Sequence, residues 1–220
     1  DCIISLGGGV VGDLSAFVSS LVKRGVRFIN IPTTLLSQVD ASIGGKTAIN
    51  SNYGKNLIGT FYQPDFVISD ISTLITLPKR EIICGYGEIL KHSLILDRKF
   101  FLWLLKNAKQ IINKKNKKIL EIAVFKSCKI KAKVVGKDEH ENSIRKILNF
   151  GHTFAHGFEG AKGFSNKLNH GEAVLLGMIT AIKLAYKKNL INFKEVLLIK
   201  EHYLNLNLQI NIKKFFKKNE

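Results

Sequence analysis

The sequence contains few cysteines and no long apolar run, and both absences restrict the class of protein. Cys2, Cys84 and Cys128 are the only cysteines among its 220 residues. They are odd in number and far apart, without the spacing of a metal site, so we expect reduced thiols in a cytoplasmic protein. No apolar run approaches the roughly 18 residues of a membrane span, and a secretory signal is missing at the start. We therefore expect a soluble globular protein that has no membrane partner.

Acidic residues are half as numerous as basic ones, 17 against 34, which gives a formal net charge of +17. Residues 1–70 carry five charges of each sign, so the whole excess lies in residues 71–220, in runs such as residues 114–118. A basic helical module that binds nucleic acid is one hypothesis for such a chain. Because no aromatic residues interleave with the basic runs to form a platform for bases, we expect solvated helix faces and no nucleic-acid partner.

The two halves of the chain follow different patterns. Up to about residue 71, short β-branched runs at residues 2–4, 28–31 and 66–68 alternate with glycine or proline, and residues 14–22 have helical periodicity. This order predicts buried strands of a parallel sheet. From residue 72 helical periodicity dominates, and it predicts helices over residues 80–96, 100–113, 117–135, 144–160 and 171–188. The fold class is therefore α/β, with a Rossmann-like parallel-sheet part over residues 1–71 and an all-helical domain over residues 72–220. Because the chain opens inside an apolar strand, we expect it to continue upstream.

A glycine-rich stretch, LGGGVVGD at residues 6–13, follows the first strand with the spacing of a dinucleotide-binding turn. Glycines there would let backbone N–H groups approach a diphosphate at the start of a helix. The acidic residue expected about 20 positions later is absent, and a purely steric turn is the alternative. Ligands of open parallel sheets bind beyond the carboxyl ends of the strands, so we predict a site in the cleft between the two halves.

A polar stripe marks the predicted helix over residues 144–160. Arg145, Asn149, His152 and His156 are spaced by four, three and four residues, which predicts a single helical face. Solvent-facing stripes are usually built from Lys and Glu, so we interpret this one as the lining of a site.

Histidines in this region could ligate a metal. His152 and His156 have the spacing of a helical zinc pair, but the Glu that follows the first His in metalloproteases is missing. Glu88, His92 and His170 are further candidates, and spacing alone does not choose among the four histidines.

Several separated motifs, taken in order, resemble those of the 3-dehydroquinate synthase family. They lie between residues 6 and 178: GGGVVGD at 7–13, RGVR at 24–27, PTTLLSQVD at 32–40, GGKT at 44–47, GKNLIG at 54–59, FYQP at 61–64, GEILKH at 87–92, DE at 138–139, LNFGHT at 148–153 and HGEAV at 170–174. One motif alone would be weak evidence, whereas the ordered set is specific.

The resemblance implies a shikimate-pathway enzyme that converts 3-deoxy-D-arabino-heptulosonate 7-phosphate to 3-dehydroquinate and phosphate. The steps implied are transient oxidation by NAD, phosphate elimination, re-reduction, ring opening and intramolecular aldol closure. NAD and zinc, with cobalt as the alternative metal, are the implied cofactors, and a homodimer is the implied assembly. In the family an upstream segment holds the adenosine, and a later Asp-Lys-Lys stretch touches substrate. Neither is found in this sequence, so we expect a fragment that lacks both ends.

The resemblance also assigns site residues. The implied NAD contacts are Gly9, Val10, Val11, Gly12, Asp13, Thr33, Thr34, Lys46, Lys55, Thr73, Leu74, Ile75 and Thr76. The implied metal ligands are Glu88, His152 and His170. Around the substrate phosphate it places Arg24, Lys46, Asn56 and Lys91. At the carboxylate and hydroxyl end it places Lys131, Arg145, Asn149 and His156, with Asp40 organising the hydroxyl-binding network.

Two other enzyme functions stay open. A sister sugar-phosphate cyclase would act on a substrate without the carboxylate, and a zinc polyol dehydrogenase of related fold would release NADH. Lys131, Arg145 and His156 favour a substrate that carries a carboxylate, since a neutral sugar would leave their charges unpaired.

Overall fold

Three parallel strands form the sheet of the computed structural model, which describes residues 1–163, 165, 167–209, 211–212 and 215–216, apart from the side chain of Lys55. β1 (Cys2–Gly7) pairs directly with β2 (Arg27–Pro32), and helix α1 (Gly9–Leu21) connects the two strands. The helix predicted over residues 14–22 therefore begins five residues earlier than expected, within the glycine-rich stretch. Gly7 lies opposite Pro32, so the carboxyl ends of the two strands meet at one edge of the sheet. The predicted parallel sheet is therefore confirmed.

Strand burial differs from the prediction. Phe28 and Asn30 on β2 are buried under α1, whereas Ile4 and Leu6 on β1 are 61% and 66% exposed. Within the described chain α1 covers one face of the sheet, and the other face, although apolar, is open. The short β-branched runs correctly predicted the strands. They do not indicate which face of the sheet another element covers.

A β-hairpin that the sequence did not predict follows the sheet. β3 (Lys46–Ser51) and β4 (Gly54–Phe61) pair in antiparallel orientation, with Lys46 opposite Phe61. The third strand of the sheet, β5 (Phe66–Val67), comes next and pairs with β2. Glycines and asparagines interrupt the apolar alternation of the hairpin, which hides it from a pattern search.

Six further α-helices follow in the described part of the chain: α2 (Lys79–Leu96), α3 (Arg98–Ile112), α4 (Lys117–Val135), α5 (His152–Ala161), α6 (His170–Lys187) and α7 (Phe193–Asn205). Four of them begin at a residue whose side chain accepts a backbone N–H of the first turn, namely Asp97, Asn116, Asn169 and Asn192. Tyr86 and Leu90 on α2 and Val174 on α6 belong to one buried apolar core. The predictions for α2, α3, α4 and α6 are correct to within two residues, and α7 was not predicted.

The predicted continuous helix over residues 144–160 is wrong. A 3₁₀ segment covers Ile144–Asn149, and α5 begins only at His152, after Gly151 with a φ of 81°. The cause is close packing against α6, since a Cβ on Gly151 would lie 2.8 Å from the backbone nitrogen of Met178. Arg145 therefore precedes the helix and does not share a helical face with His152.

In the described part of the chain, no helix combines the length and the apolar character that a membrane crossing requires.

Candidate active site and metal centre

Charged side chains that are almost fully buried gather on α2 and α4, below the carboxyl edge of the sheet. Glu88 is 0% exposed, Lys91 2% and Lys131 6%. Because burying a charge without a partner is costly, such residues must satisfy one another or a ligand.

Glu88 and Lys91 lie one turn apart on α2 and form an ion pair through Oε2 and Nζ. Burial alone would lower the pKa of Lys91, but attraction to Glu88 and Asp40 more than offsets it and raises that pKa. The other carboxylate oxygen of Glu88, Oε1, is buried and accepts no hydrogen bond from any described residue. One acceptor at the centre of the cluster is thus available to a ligand.

Asp40 lies in a single π-helical turn, Ser37–Ala41, just after β2. Its Oδ1 is 2.7 Å from Lys131 Nζ and 3.8 Å from His92 Nε2. Burial would raise the pKa of Asp40, but the charges of Lys131 and Lys91 outweigh burial and lower it. Asp40 is therefore an anion that organises the two buried lysines.

His92 was one of four candidate histidines in the sequence, and the structure shows its contacts. Its Nδ1 lies 2.6 Å from Ser127 Oγ, and its buried Nε2 has no hydrogen-bond partner among the described residues. Burial and the charge of Lys91 lower its pKa to about 4, so its ring is neutral at pH 7.

Three side chains could hold a metal ion. One ligand atom from each of Glu88, His152 and His170 lies within 4.8 Å of the others. The Nε2 atoms of His152 and His170 are 3.9 and 4.0 Å from Glu88 Oε1. Zinc bonds of about 2.0–2.2 Å place tetrahedral ligand atoms roughly 3.4 Å apart, so small side-chain shifts would close the site. The donor set, two imidazoles and a carboxylate with an unused buried oxygen, fits zinc.

The other nitrogen of each metal-facing imidazole also has an acceptor nearby. His152 Nδ1 lies 3.4 Å from the carbonyl oxygen of Phe150, and His170 Nδ1 lies 3.4 Å from Glu159 Oε1. Burial and the charge of Lys91 lower the pKa of His152 to about 3, which keeps it neutral. Neutral imidazole is the form that binds metals.

A second group, Asp40, Glu88 and His92, also lies within 4.8 Å. Lys131 and Lys91 pair with its two carboxylates, so two ammonium groups already supply positive charge there. The first group is the better metal site for that reason.

Arg145 is held beside the hairpin. Its guanidinium donates to the carbonyl of Gly44 at 3.0 Å and to the carbonyl of Glu139, and it lies 5.8 Å from the centre of the Phe61 ring. Gly44 has a φ of 109°, and a Cβ there would lie 2.3 Å from the guanidinium. Glycine at this position is therefore needed for Arg145 to reach the site.

Lys46 and Asn149 meet at a residue that sequence reasoning missed. Glu141 pairs with Lys46 through Oε2 and accepts from Asn149 Nδ2 at 2.5 Å through Oε1. No helical or strand periodicity covers residues 136–143, so the sequence contains no signal for this contact.

The glycine-rich turn has the backbone geometry of an anion site. α1 begins at Gly9, and its N-cap residue, Gly8, offers no side chain to the free N–H groups of the first turn. A Cβ on Gly8 would lie 3.1 Å from Thr34, and the N–H of Thr33 donates to Gly7 at 2.9 Å. The turn and the two threonines are therefore neighbours.

Asp13, on α1, is subject to the charges of the buried cluster. Burial raises its pKa to about 6, while Lys131 lowers it and Asp40 raises it.

Gln38 joins the loops that follow β2 and β5, and sequence reasoning missed this role. Its buried side-chain amide nitrogen lies within hydrogen-bond distance of three acceptors: the carbonyl oxygen of Pro32 at 3.1 Å, the carbonyl oxygen of Asp70 at 2.9 Å and the hydroxyl of Thr73 at 3.2 Å. Leu74 is fully buried in the core, whereas Ile75 and Thr76 are exposed. Only the backbone of Leu74 could therefore face a cofactor.

Some of the residues singled out from the sequence are not brought to the cluster. Arg24 lies before β2, at the amino edge of the sheet, opposite the edge where Asp40 lies. Asn56 is exposed near the tip of the hairpin, where its backbone N–H donates to Asn50. The neighbouring Lys55 is in β4, and its side chain lies outside the described part of the structure. His156 is exposed, with its ring centre 5.5 Å from that of His152.

Comparison with known families gives two adjoining matches. Residues 1–84 match the family described as 3-dehydroquinate synthase N-terminal, and residues 85–219 match the one described as 3-dehydroquinate synthase C-terminal. The 3-dehydroquinate synthase of Pelagibacter ubique (strain HTCC1062) is 60% identical over 98% of this chain and 58% of its own length. That of Bartonella quintana (strain Toulouse) is 49% identical over 97% of this chain and 56% of its own length. The chain thus spans somewhat more than half the length of these relatives.

Solved structures of related enzymes share the fold. One is 2-epi-5-epi-valiolone synthase from Streptomyces hygroscopicus subsp. jinggangensis 5008 with NAD+ and Zn2+ bound, with a TM-score of 0.87 and 29% identity over 94% of this chain and 57% of its own. Another is 2-deoxy-scyllo-inosose synthase complexed with carbaglucose-6-phosphate, NAD+ and Co2+, with a TM-score of 0.84 and 31% identity over 98% of this chain and 57% of its own. Glycerol dehydrogenase from Schizosaccharomyces pombe, at 19% identity over 100% of this chain and 59% of its own and a TM-score of 0.74, shows similarity of fold alone.

Proposed function

Because this chain belongs to the 3-dehydroquinate synthase family, we propose that it converts 3-deoxy-D-arabino-heptulosonate 7-phosphate to 3-dehydroquinate and phosphate. The observation that carries the proposal is the convergence of Glu88, His152 and His170 beside two buried lysines, Lys91 and Lys131. A metal-binding set next to buried cations suits a substrate that carries hydroxyl groups together with two anionic groups.

The metal would be held by Glu88, His152 and His170, with zinc as the expected ion and cobalt as the alternative. When bound, such an ion supplies a Lewis acid that makes a substrate hydroxyl easier to deprotonate. The protein supports this by keeping His152 neutral and by leaving Glu88 Oε1 without a hydrogen-bond donor among the described residues.

NAD would bind along the carboxyl edge of the sheet. Its diphosphate suits the N-terminus of α1 at residues 9–13, and its remaining contacts would come from residues 33–34, the backbone around residues 73–76, Lys46 and Lys55. When bound, NAD supplies a reversible hydride acceptor. Gln38 supports this placement, because it ties two of these loops to each other.

The substrate would lie between the hairpin and the helices. Lys91 and Lys46 are the cations available to its phosphate, and Arg145 and Lys131 those available to its carboxylate. Asp40 would orient the hydroxyl groups, with Asn149 and His156 at the same end. The phosphate roles of Arg24 and Asn56 have no support in the geometry of a single chain. The homodimer and the cytoplasmic location stay predictions.

A sister cyclase is the second candidate, since two such enzymes share the fold at TM-scores of 0.87 and 0.84. Their identities of 29% and 31% are well below the 60% to a 3-dehydroquinate synthase. The buried Arg145 further favours a substrate with a carboxylate, because a neutral one would leave that charge without an anionic ligand.

The test is the release of inorganic phosphate from 3-deoxy-D-arabino-heptulosonate 7-phosphate with catalytic NAD and zinc, in the longest natural form of the protein. We expect many turnovers per NAD, and their loss in Glu88→Gln, which keeps the side-chain volume but removes the charge. Glu121→Gln, an exposed carboxylate on α4, is the control and should leave turnover unchanged. Absence of phosphate release from protein that binds both NAD and zinc would instead indicate a sister cyclase or a dehydrogenase.

A further inference from the structure

We propose that Glu159 is a positioning residue that fixes the imidazole ring of His170 for metal binding. This inference rests on the zinc site of the proposed function and adds to it a residue that never touches the metal.

Glu159 lies on α5 seven residues after His152, which is two helical turns and places both side chains on the same face of the helix. That face packs against α6 at its first residue, His170. Glu159 is only 5% exposed, and its Oε1 lies 3.4 Å from His170 Nδ1. The other nitrogen of the same ring, Nε2, lies 4.0 Å from Glu88 Oε1. The His170 ring therefore lies between two carboxylates, one on each nitrogen.

With a metal ion on the Nε2 side, this arrangement would select the tautomer of the ring that the ion can use. A neutral imidazole carries its proton on one nitrogen and a lone pair on the other. A carboxylate at Nδ1 keeps the proton there, so the lone pair of Nε2 would be available to a metal ion held jointly with Glu88. His152 obtains the same effect from the backbone carbonyl of Phe150. Of the two histidines, only His170 therefore depends on a side chain that can be substituted.

The backbone of His170 is held by other contacts, so a change at Glu159 should act on the ring. Asn169 caps α6 by accepting from the N–H of Glu172 at 3.0 Å, and the Glu172 side chain accepts from the N–H of Asn169 at 3.1 Å. Arg80 then holds Glu172 with hydrogen bonds of 2.9 and 2.7 Å. Loss of Glu159 leaves this capping box intact.

The experiment measures zinc affinity by chelator competition, and the visible absorption spectrum of the Co2+-loaded protein, for the wild type, Glu159→Gln and Glu159→Asp. We expect Glu159→Gln to weaken zinc binding by about 10- to 100-fold and to change the cobalt spectrum. Glu159→Asp keeps the charge one methylene further away and should give an intermediate affinity. Glu201→Gln, an exposed carboxylate on α7, should match the wild type in both measurements.

The outcomes separate this inference from the function it rests on. If the wild type binds zinc, Glu88→Gln does not, and every folded Glu159 variant binds as the wild type does, the positioning role is wrong while the metal centre stands. If the wild type itself binds no zinc, the proposed metal centre is wrong and the role of Glu159 with it.

Discussion

Lys131 Nζ donates two hydrogen bonds to Asp40, one to its backbone carbonyl oxygen at 2.6 Å and one to its carboxylate Oδ1 at 2.7 Å. This pair joins α4 to the turn that follows β2, and so it connects the helical part of the chain to the carboxyl edge of the sheet. Burial lowers the pKa of Lys131, and Asp40 opposes this change, so the charge on the lysine depends on the carboxylate. Structure and catalysis should both depend on this pair.

We expect Lys131→Met to lower the free energy of unfolding by about 3 kcal/mol, because it leaves the Asp40 carboxylate without its nearest cation. We also expect turnover to fall by about 100-fold or more, as when a charged group that contacts the reacting substrate is removed. Urea unfolding and phosphate release are the two measurements. Lys129→Met is the control, since Lys129 is exposed on the same helix and its loss should change stability by less than about 0.5 kcal/mol. Equal effects of the two substitutions would contradict a special role for Lys131.

Replacement of His152 and of His156 by alanine should have different effects on zinc binding, although the two residues lie one turn apart on α5. His152 Nε2 faces Glu88, so His152→Ala should weaken zinc binding by at least about 100-fold. His156 is exposed beside it and is proposed to contact substrate, so His156→Ala should keep zinc affinity and raise KM. Chelator competition and steady-state kinetics on both variants test this division. Loss of zinc in His156→Ala would show that the ligand set is wrong.

The parts of the fold that follow from periodicity could be predicted from the sequence. The parallel sheet and helices α2, α3, α4 and α6 are of this kind, because the period of their apolar residues is a local property of the chain. The break at Gly151 is different, since it is imposed by the approach of Met178 on a helix that lies later in the chain. No local pattern reports such an approach.

The candidate site could be predicted only in part, for a similar reason. Spacing left four histidines equivalent, and the resemblance alone singled out Glu88, His152 and His170, which the structure then brings together. Gln38 and Glu159 were not predicted, because their contacts are to residues that only the folded chain brings close to them. The spacing from His152 to Glu159, two helical turns, is the one signal that could have pointed to Glu159.

Replacement by alanine should change the stability of the protein in opposite directions at Gly151, just before α5, and at Gly157, inside α5. Gly151 has a φ of 81°, and a Cβ there would lie 2.7 Å from Met178 Cγ. We expect Gly151→Ala to destabilise the protein by about 2–4 kcal/mol and to weaken zinc binding, because it displaces the adjacent ligand His152. Gly157, inside α5, has open space around its Cα, so Gly157→Ala should stabilise the protein by about 0.5–1 kcal/mol. Thermal unfolding of both variants checks the sign as well as the size.

His202 should make the protein sensitive to acid at a point away from the active site. Its Nε2 lies 2.6 Å from the Tyr86 hydroxyl, and both side chains are buried. The neutral ring can accept this hydrogen bond, and burial lowers the pKa of His202 to about 4. In the unfolded chain the pKa is about 6.5, so the unfolded state binds the proton more readily. The stabilisation is fully present above pH 6.5 and is lost as the pH falls towards 4, by up to about 3 kcal/mol.

The test compares the free energy of unfolding at pH 7 and pH 4.5 for the wild type and His202→Phe. At pH 7 the variant should be less stable by about 1–2 kcal/mol, because the buried Tyr86 hydroxyl loses its acceptor. On acidification the variant should lose less stability than the wild type, since one buried group no longer has to be protonated. His92 and His152 also have lowered pKa values, and their contribution is common to both proteins and cancels in the comparison. His140→Gln, at an exposed histidine, should follow the wild-type curve. Parallel pH curves for the wild type and His202→Phe would show that this histidine does not titrate on unfolding.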